Sequence, residues 1–340
     1  MLFAQKEPAT ESWIHAEYFG GFDHGAGVKE VISFASMRVG RSSGLLGLRQ
    51  GRQATRPRAV YAKVIRPLGE KIMERARVNG VELAYELRGA GTPIVMIHGA
   101  QGDQTMYAGL AAALAPSYQV LTFDQRGSGL SEKPDMPYSI AMLADDTAAL
   151  MDHLKISSAH IIGVSMGGMI AQEFALRHPQ KVRALVLGCT TPGGPKSVRL
   201  GGDALTNAYS PKPMTAEERG KALAEAAFTK GYLAKHPEVV ASMIESRRNR
   251  PIDSAAFPHR MKAAMEHDTF DRLGEIRCPT LVITGKDDAL ISWENSRLLA
   301  QHIKGAEELI LEPAGHCFWL EQPEASKDAI AGFLSRNDRS

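Results

Sequence analysis

Residues 160–174 read H-I-I-G-V-S-M-G-G-M-I-A-Q-E-F. A short, wholly apolar run suits a strand buried on both faces of a sheet, and the residues after it repeat at helical spacing. Ser165 stands at the junction, with Gly163 and Gly167 two positions to either side. It is either a nucleophile or a small residue filling a tight turn. With 32 Gly in 340 residues, a G-x-S-x-G pattern arises by chance in roughly one such chain in five, so the remainder of the chain has to decide.

Outward from that junction, strands and helices alternate. Asn79-Gly80 separates two apolar-alternating runs, a hairpin signal. P-I-V-M-I (93–97) and Y-Q-V-L-T-F-D (118–124) read as buried strands with a helical stretch near 105–114 between them. Ser139 is placed to cap a helix running through Leu154. The strand A-H-I-I-G-V follows, then a helix ending before Pro179 and the strand V-R-A-L-V-L-G (182–188). The rhythm stops at Thr190, and residues 191–273 read as helices with no buried strand. P-T-L-V-I-T-G (279–285), a helix over 293–303, E-L-I-L (308–311) and a helix near 323–335 restore it. This pattern predicts an α/β fold, a mostly parallel sheet flanked by helices. The core spans 73–190 and 274–340, and 191–273 form a helical insertion.

Composition excludes several function classes. The formal charge of +2, with 44% hydrophobic and 23% charged residues, is ordinary globular composition and gives no reason to expect nucleic acid or an anionic membrane as partner. No apolar run approaches the ~20 residues of a membrane span. Cys189, Cys278 and Cys317 are too few and scattered for a disulfide framework or zinc knuckle, which suggests reduced thiols and a cytoplasmic protein with no metal. Residues 1–72 carry 11 Lys/Arg against 6 Asp/Glu, with no acid from Val31 to Gly69. Glu7, Glu11, Glu17, Asp23 and Glu30 argue against a transit peptide. A disordered basic arm and a start-site artefact, with translation beginning at Met73, remain as readings of this extension, and the second is favoured.

Every chemically useful residue falls just after an expected strand. Ser165 follows I-I-G-V, Asp287 and Asp288 follow L-V-I-T-G, His316 follows E-L-I-L, and His98-Gly99-Ala100 follows P-I-V-M-I. Strands of an open parallel sheet present these ends on one edge, where ligands bind. A serine hydroxyl needs a base within hydrogen-bond reach, an imidazole can serve, and a carboxylate fixes the imidazole's tautomer. Gly163 and Gly167 sit where side chains would collide in a sharp strand-to-helix turn. The N–H groups of Met166 and Ala100 are placed to hold a developing oxyanion, each such donor supplying about 3–4 kcal/mol.

The combination of H-G-A (98–100), D-Q-R-G-S-G-L-S (124–131), G-V-S-M-G-G (163–168), G-K-D-D (285–288) and G-H (315–316) resembles the α/β-hydrolase fold family from about residue 76 to 336. The resemblance implies a Ser165–Asp288–His316 triad, since the family's spacing after Gly285 selects Asp288 over Asp287. It also implies a cap over the active site made by 191–273, no cofactor, and a small ester or lactone as substrate, as in esterases and enol-lactonases. The same triad in related sequences hydrolyses carbon–carbon bonds of vinylogous diketones. Cofactor-free oxygenases and non-catalytic receptors also use the fold. Haloalkane dehalogenases and epoxide hydrolases carry an aspartate where Ser165 stands. By the same resemblance His98 is a structural loop residue. Asp124 and Arg126 are expected to pin their loop. Cys317 reads as a packed small residue, and Met166, Met169, Met243, Met261 and Met265 read mainly as core filling. Arg247, Arg248, Arg250 and Arg260 read as a solvated face of the insertion, one of them available to a substrate carboxylate.

Overall fold

Asn79 and Gly80 both adopt positive φ, 46° and 74°, the conformation that a type I′ hairpin turn requires. They join β1 (Glu74–Val78) to β2 (Val81–Arg88) in this computed structural model, which describes residues 73–200, 207–209 and 214–338. The two readings of residues 1–72 fall outside the described residues.

The sheet continues with β3 (Thr92–Ile97), β4 (Tyr118–Phe123), β5 (Ala159–Val164), β6 (Val182–Gly188), β7 (Thr280–Gly285) and β8 (Glu307–Leu311). Its eight strands lie in the order β1-β2-β4-β3-β5-β6-β7-β8. The β1–β2 and β2–β4 pairs are antiparallel and every pair from β4 to β8 is parallel. This is the mostly parallel sheet that the alternation of strands and helices predicted.

The uninterrupted apolar strands are explained by burial on both faces. Val95, Ile97, Ile161, Leu185, Leu187 and Val282 enter one core cluster, shared with α2 (Ile140–His153) and α3 (Met166–Arg177). Their neighbours Ile94, Met96, Ile162, Val186, Leu281 and Ile283 point the other way. They pack with α1 (Ala108–Leu114) and the final helix (Pro323–Arg336). Side chains on a strand alternate faces, so a strand with two covered faces has no solvent-facing position and is dominated by apolar residues.

Between β6 and β7 the described chain is helical. It comprises α4 (Ala216–Ala227), α5 (Lys230–Lys235), α6 (Pro237–Asn249) and α7 (Ala256–Met265). Thr215 and Glu218 close a capping box at the start of α4, satisfying two of the amide groups a helix start leaves open. Because β6 pairs directly and in parallel with β7, this segment leaves the sheet at the carboxyl end of β6 and returns to the opposite edge, at the amino end of β7. The stretch near 105–114 differs slightly from expectation. It opens as a 3-10 turn, Gln104–Tyr107, because the Asp103 side chain accepts from the Thr105 N–H and fixes a tighter start.

β3 lies between β4 and β5, so successive strands are laid to opposite sides of it. A crevice opens at the carboxyl ends where the order reverses. Ile97 of β3 is in register with Gly163 of β5, so the loops beginning at His98 and Ser165 leave the sheet side by side. Among the described residues no helix is long and apolar enough to cross a membrane.

Candidate active site

Ser165 occupies φ 59°, ψ −125° at the start of α3, a region that costs about 1–3 kcal/mol for a residue with a Cβ. The surroundings enforce it. The Ser165 N–H donates to Gly188 C=O at 2.9 Å, and the Ser165 C=O accepts from the Gly168 N–H at 2.9 Å and from Thr190 Oγ1 at 2.7 Å. The turn brings α3 hard against the sheet. A Cβ on Gly163 would lie 2.2 Å from the Gly167 carbonyl oxygen, and one on Gly167 would lie 1.9 Å from that of Ile97.

Both clashes are with backbone, which no rotamer change relieves. Gly167→Ala is therefore expected to destabilise the protein by about 4 kcal/mol or more. Gly231→Ala in α5, where a Cβ meets nothing within 4 Å, should be neutral or stabilising by up to about 1 kcal/mol. Thermal melts of the two variants side by side check this. Equal melting temperatures would mean that the elbow tolerates a side chain.

Asp288 and His316 are brought together. His316 Nδ1 lies 2.7 Å from Asp288 Oδ2, and Asp288 Oδ1 accepts from the N–H groups of Leu290 (2.8 Å) and Ile291 (2.9 Å). Asp287 is exposed, and its N–H bonds Ala314 C=O at 2.9 Å. Ser165 and His316 are almost equally buried, at 7% and 6% exposure. The hydrogen bond of the Ser165 side chain is made with Tyr209, and none joins it to His316 among the described residues. Such contacts commonly tighten only with substrate bound. The link between the two runs through β6. Gly188 holds the Ser165 N–H, and the next residue, Cys189, donates its thiol to His316 C=O at 3.1 Å with Sγ 4.0 Å from His316 Nε2.

Tyr209 and Cys189 are the residues that sequence reasoning missed. Neither carries a motif, and Cys317 drew attention only because it adjoins His316 in the chain. Burial pushes the Cys189 thiol and the Tyr209 phenol well above their usual values, so both stay protonated. Cys189, Asp288 and His316 present possible ligand atoms within 4.8 Å of one another. Both oxygens of Asp288 are already committed to hydrogen bonds, so the set fits an oriented imidazole beside a neutral thiol.

The loop after β3 closes the other side. A Cβ on Gly99 would lie 3.3 Å from Ser165 Cβ. The N–H groups of Ala100 and Met166 have no hydrogen-bond acceptor among the described residues. His98 is buried away from reaction chemistry. Its Nδ1 lies 2.8 Å from Gly99 C=O, and its Nε2 accepts from the Gln125 N–H at 3.2 Å and lies 3.1 Å from Ser128 Oγ. These partners select the Nδ1–H tautomer. Asp124 accepts from the N–H groups of Gln104 (2.8 Å) and Leu130 (2.7 Å), and Arg126 forks onto Asp146 at 2.7 and 2.8 Å.

The arginine expectation needs correction. Only Arg248 is a solvated charge, lying 3.8 and 3.9 Å from Glu217 and Glu245. Arg250 pairs with Asp103 at 2.9 Å. Arg247 donates to Gln101 C=O at 2.9 Å, and the fully buried Arg260 reaches Gln125 Oε1 at 3.1 Å and the carbonyls of Gly99 and Arg126 at 3.4 Å. The physical reason is backbone accounting. Loops after β3 and β4 leave carbonyls outside any ladder, and a guanidinium with five donors satisfies several at once. Met265 is a second correction, being 81% exposed rather than core filling.

The buried imidazoles make stability depend on pH. Burial pushes His98 down to about 3 and His267 down to about 4, and lowers His160. The unfolded chain therefore binds more protons below about pH 6.5, and stability present above that value is lost on acidification. Burial raises Asp124 to about 6, which acts in the opposite direction between roughly pH 4 and 6 and cancels one proton's worth. Denaturant unfolding should show stability falling by about 1–2 kcal/mol per pH unit between pH 6 and 4. A flat or rising profile would contradict the assignment of these histidines as buried and neutral.

Sheet order and the strained strand-to-helix turn define the class, an α/β-hydrolase fold. The sequence profile described as alpha/beta hydrolase fold matches residues 92–323, and the chain belongs to that family. It is similar to a poly(3-hydroxyalkanoate) depolymerase of Ectopseudomonas oleovorans, 31% identical over 72% of this chain and 85% of the relative. A 2-hydroxymuconate semialdehyde hydrolase of Pseudomonas sp. (strain CF600) is 30% identical over 76% of this chain and 92% of its own length. The crystal structure of an enol-lactonase from Burkholderia xenovorans LB400 superimposes with a TM-score of 0.69 at 30% identity, covering 77% of this chain and 100% of that one. The chain is a hydrolase of this family.

Proposed function

We propose that the protein is a serine hydrolase that cleaves a small carboxylic ester or lactone through an acyl-enzyme intermediate. One observation carries the reading. Ser165 is held in a strained turn against the loop that bears Ala100, and the same sheet edge carries a histidine already oriented by a buried carboxylate.

With Nδ1 of His316 committed to Asp288, Nε2 is the nitrogen available to take the Ser165 proton. Serine Oγ attacks the carbonyl carbon, and the oxyanion is held by the Ala100 and Met166 N–H groups. His316 returns the proton to the departing alkoxide, and water then hydrolyses the acyl-enzyme by the same steps in reverse. Substrate must displace the Tyr209 hydroxyl from Ser165. Residues 191–273 act as the cap, and the three free cysteines suit a cytoplasmic protein. An ester or lactone is favoured by the likeness to the enol-lactonase structure. The relative that is a 2-hydroxymuconate semialdehyde hydrolase supports a second reading, carbon–carbon hydrolysis of a vinylogous diketone by the same three residues.

Two measurements test this. A fluorophosphonate probe should label the peptide bearing Ser165 stoichiometrically, and a folded protein that is not labelled there overturns the serine mechanism. A panel of short esters, lactones and vinylogous diketones then separates the readings. Turnover of a diketone without any ester or lactone turnover would select the second.

A further inference from the structure

A cavity of about 460 Å³ is lined by Ala100 and other residues of the loops after β3 and β4 and by the end of α6. That volume is within the range of small-molecule sites. Its basic lining residues are Lys133, Arg247 and Arg250, and its acids are Asp103 and Asp253. The acids are already used. Asp103 pairs with Arg250 at 2.9 Å and accepts from the Thr105 N–H at 2.9 Å. Asp253 accepts from the N–H groups of Ala255 at 3.1 Å and Ala256 at 2.8 Å. Lys133 is held by carbonyls alone, those of Gly129 at 2.7 Å and Ser131 at 3.0 Å.

Arg247 is the anomaly. It is only 8% exposed, yet no carboxylate pairs with it among the described residues. Nη1 donates to Gln101 C=O at 2.9 Å, and Nε is buried with no hydrogen-bond partner. The charged groups nearest in effect are Asp103, committed to Arg250, and the like-charged Arg219 and Arg250. A buried guanidinium without a counter-ion is costly unless a ligand supplies one. A planar donor fork matches a carboxylate in particular.

We propose that this cavity is a subsite for a carboxylate carried by the substrate, held by Arg247, so that the enzyme's substrates are anionic esters or lactones. The inference rests on the serine-hydrolase reading. Ala100, whose N–H the proposed mechanism places on the substrate's carbonyl oxygen, also lines this cavity, so the remaining chain of such a substrate has Arg247 within the same cavity.

The test uses two ester pairs matched except for a carboxylate. Mono-p-nitrophenyl glutarate against p-nitrophenyl valerate places it on the acid half, and 4-acetoxybenzoate against phenyl acetate places it on the alcohol half. In one pair the wild type should favour the anionic ester in kcat/KM by about 10- to 100-fold. Arg247→Gln should bring that ratio toward one, and Arg247→Lys should restore part of it. Glutarate should bind the wild type by calorimetry and fail to bind Arg247→Gln. Turnover without a carboxylate preference in either pair overturns the subsite and leaves the serine mechanism standing. Glutarate binding that depends on Arg247 without turnover of any ester supports the subsite and overturns the acyl-enzyme reading. The wild-type preference and glutarate binding are read without the variants, so a variant that fails to fold does not block the test.

Discussion

Replacing Ser165 with alanine is expected to lower kcat/KM for the best ester or lactone by about 10⁴- to 10⁶-fold while the fold survives. The loss is large because in the proposed mechanism Oγ is the atom that bonds to substrate, so neither the unpaired N–H groups nor His316 can substitute for it. The residual rate, above that of water alone, comes from those N–H groups and from binding. The fold survives because what holds position 165 is backbone. The bonds to Gly188, Gly168 and Thr190 involve the main-chain N–H and C=O, and alanine adopts the same φ and ψ at similar cost. The side chain gives up one hydrogen bond, to Tyr209, worth about 1 kcal/mol. A melting temperature within a few degrees of wild type, together with lost turnover and lost fluorophosphonate labelling, is the expected outcome. Full turnover by Ser165→Ala would refute the acyl-enzyme mechanism.

That expectation was legible in the sequence because Ser165 is specified locally. The apolar run of β5, the flanking glycines and the helical spacing after Met166 are all contained in fifteen contiguous residues. The same holds for the hairpin at Asn79-Gly80 and for strands with two covered faces, whose signal is one of period and composition. His316 and the Asp287–Asp288 pair were legible for a topological reason, and the choice of Asp288 rested on the family resemblance. Every parallel strand delivers its next loop to the same edge, so a residue type just after a strand is enough to place it.

What was not legible depends on contacts between distant segments. Tyr209 meets Ser165, and Cys189 meets His316 across 127 positions. Neither pairing has a spacing rule. The arginines were misread for the same reason. On and beside α6 and α7 a run of basic residues looks like a solvated face, because the sequence does not show that carbonyls of Gln101, Gly99 and Arg126 lie opposite them. Buried polar groups are assigned by the accounting of donors and acceptors in three dimensions, which composition cannot supply.

The choice between Asp287 and Asp288 gives the second large effect. Asp288→Asn is expected to lower kcat by about 10⁴-fold, and Asp287→Asn to stay within about threefold of wild type, as surface substitutions usually do. The asymmetry follows from the hydrogen bonds. Asp288 Oδ1 takes the N–H groups of Leu290 and Ile291, so an asparagine there keeps its oxygen on those donors and turns its NH₂ toward His316. His316 Nδ1, 2.7 Å away, must then accept a hydrogen bond, which moves the imidazole proton to Nε2. An Nε2–H cannot receive the Ser165 proton, so the nucleophile loses its base although every heavy atom stays in place. Asp287 is exposed and joins the structure through its backbone N–H, so its carboxylate has no such hold on the imidazole. Nitrogen-15 NMR of the histidines should show the Nδ1–H tautomer of His316 in wild type and in Asp287→Asn, and the Nε2–H tautomer in Asp288→Asn. Loss of activity confined to Asp287→Asn would move the acid's role to the neighbouring residue.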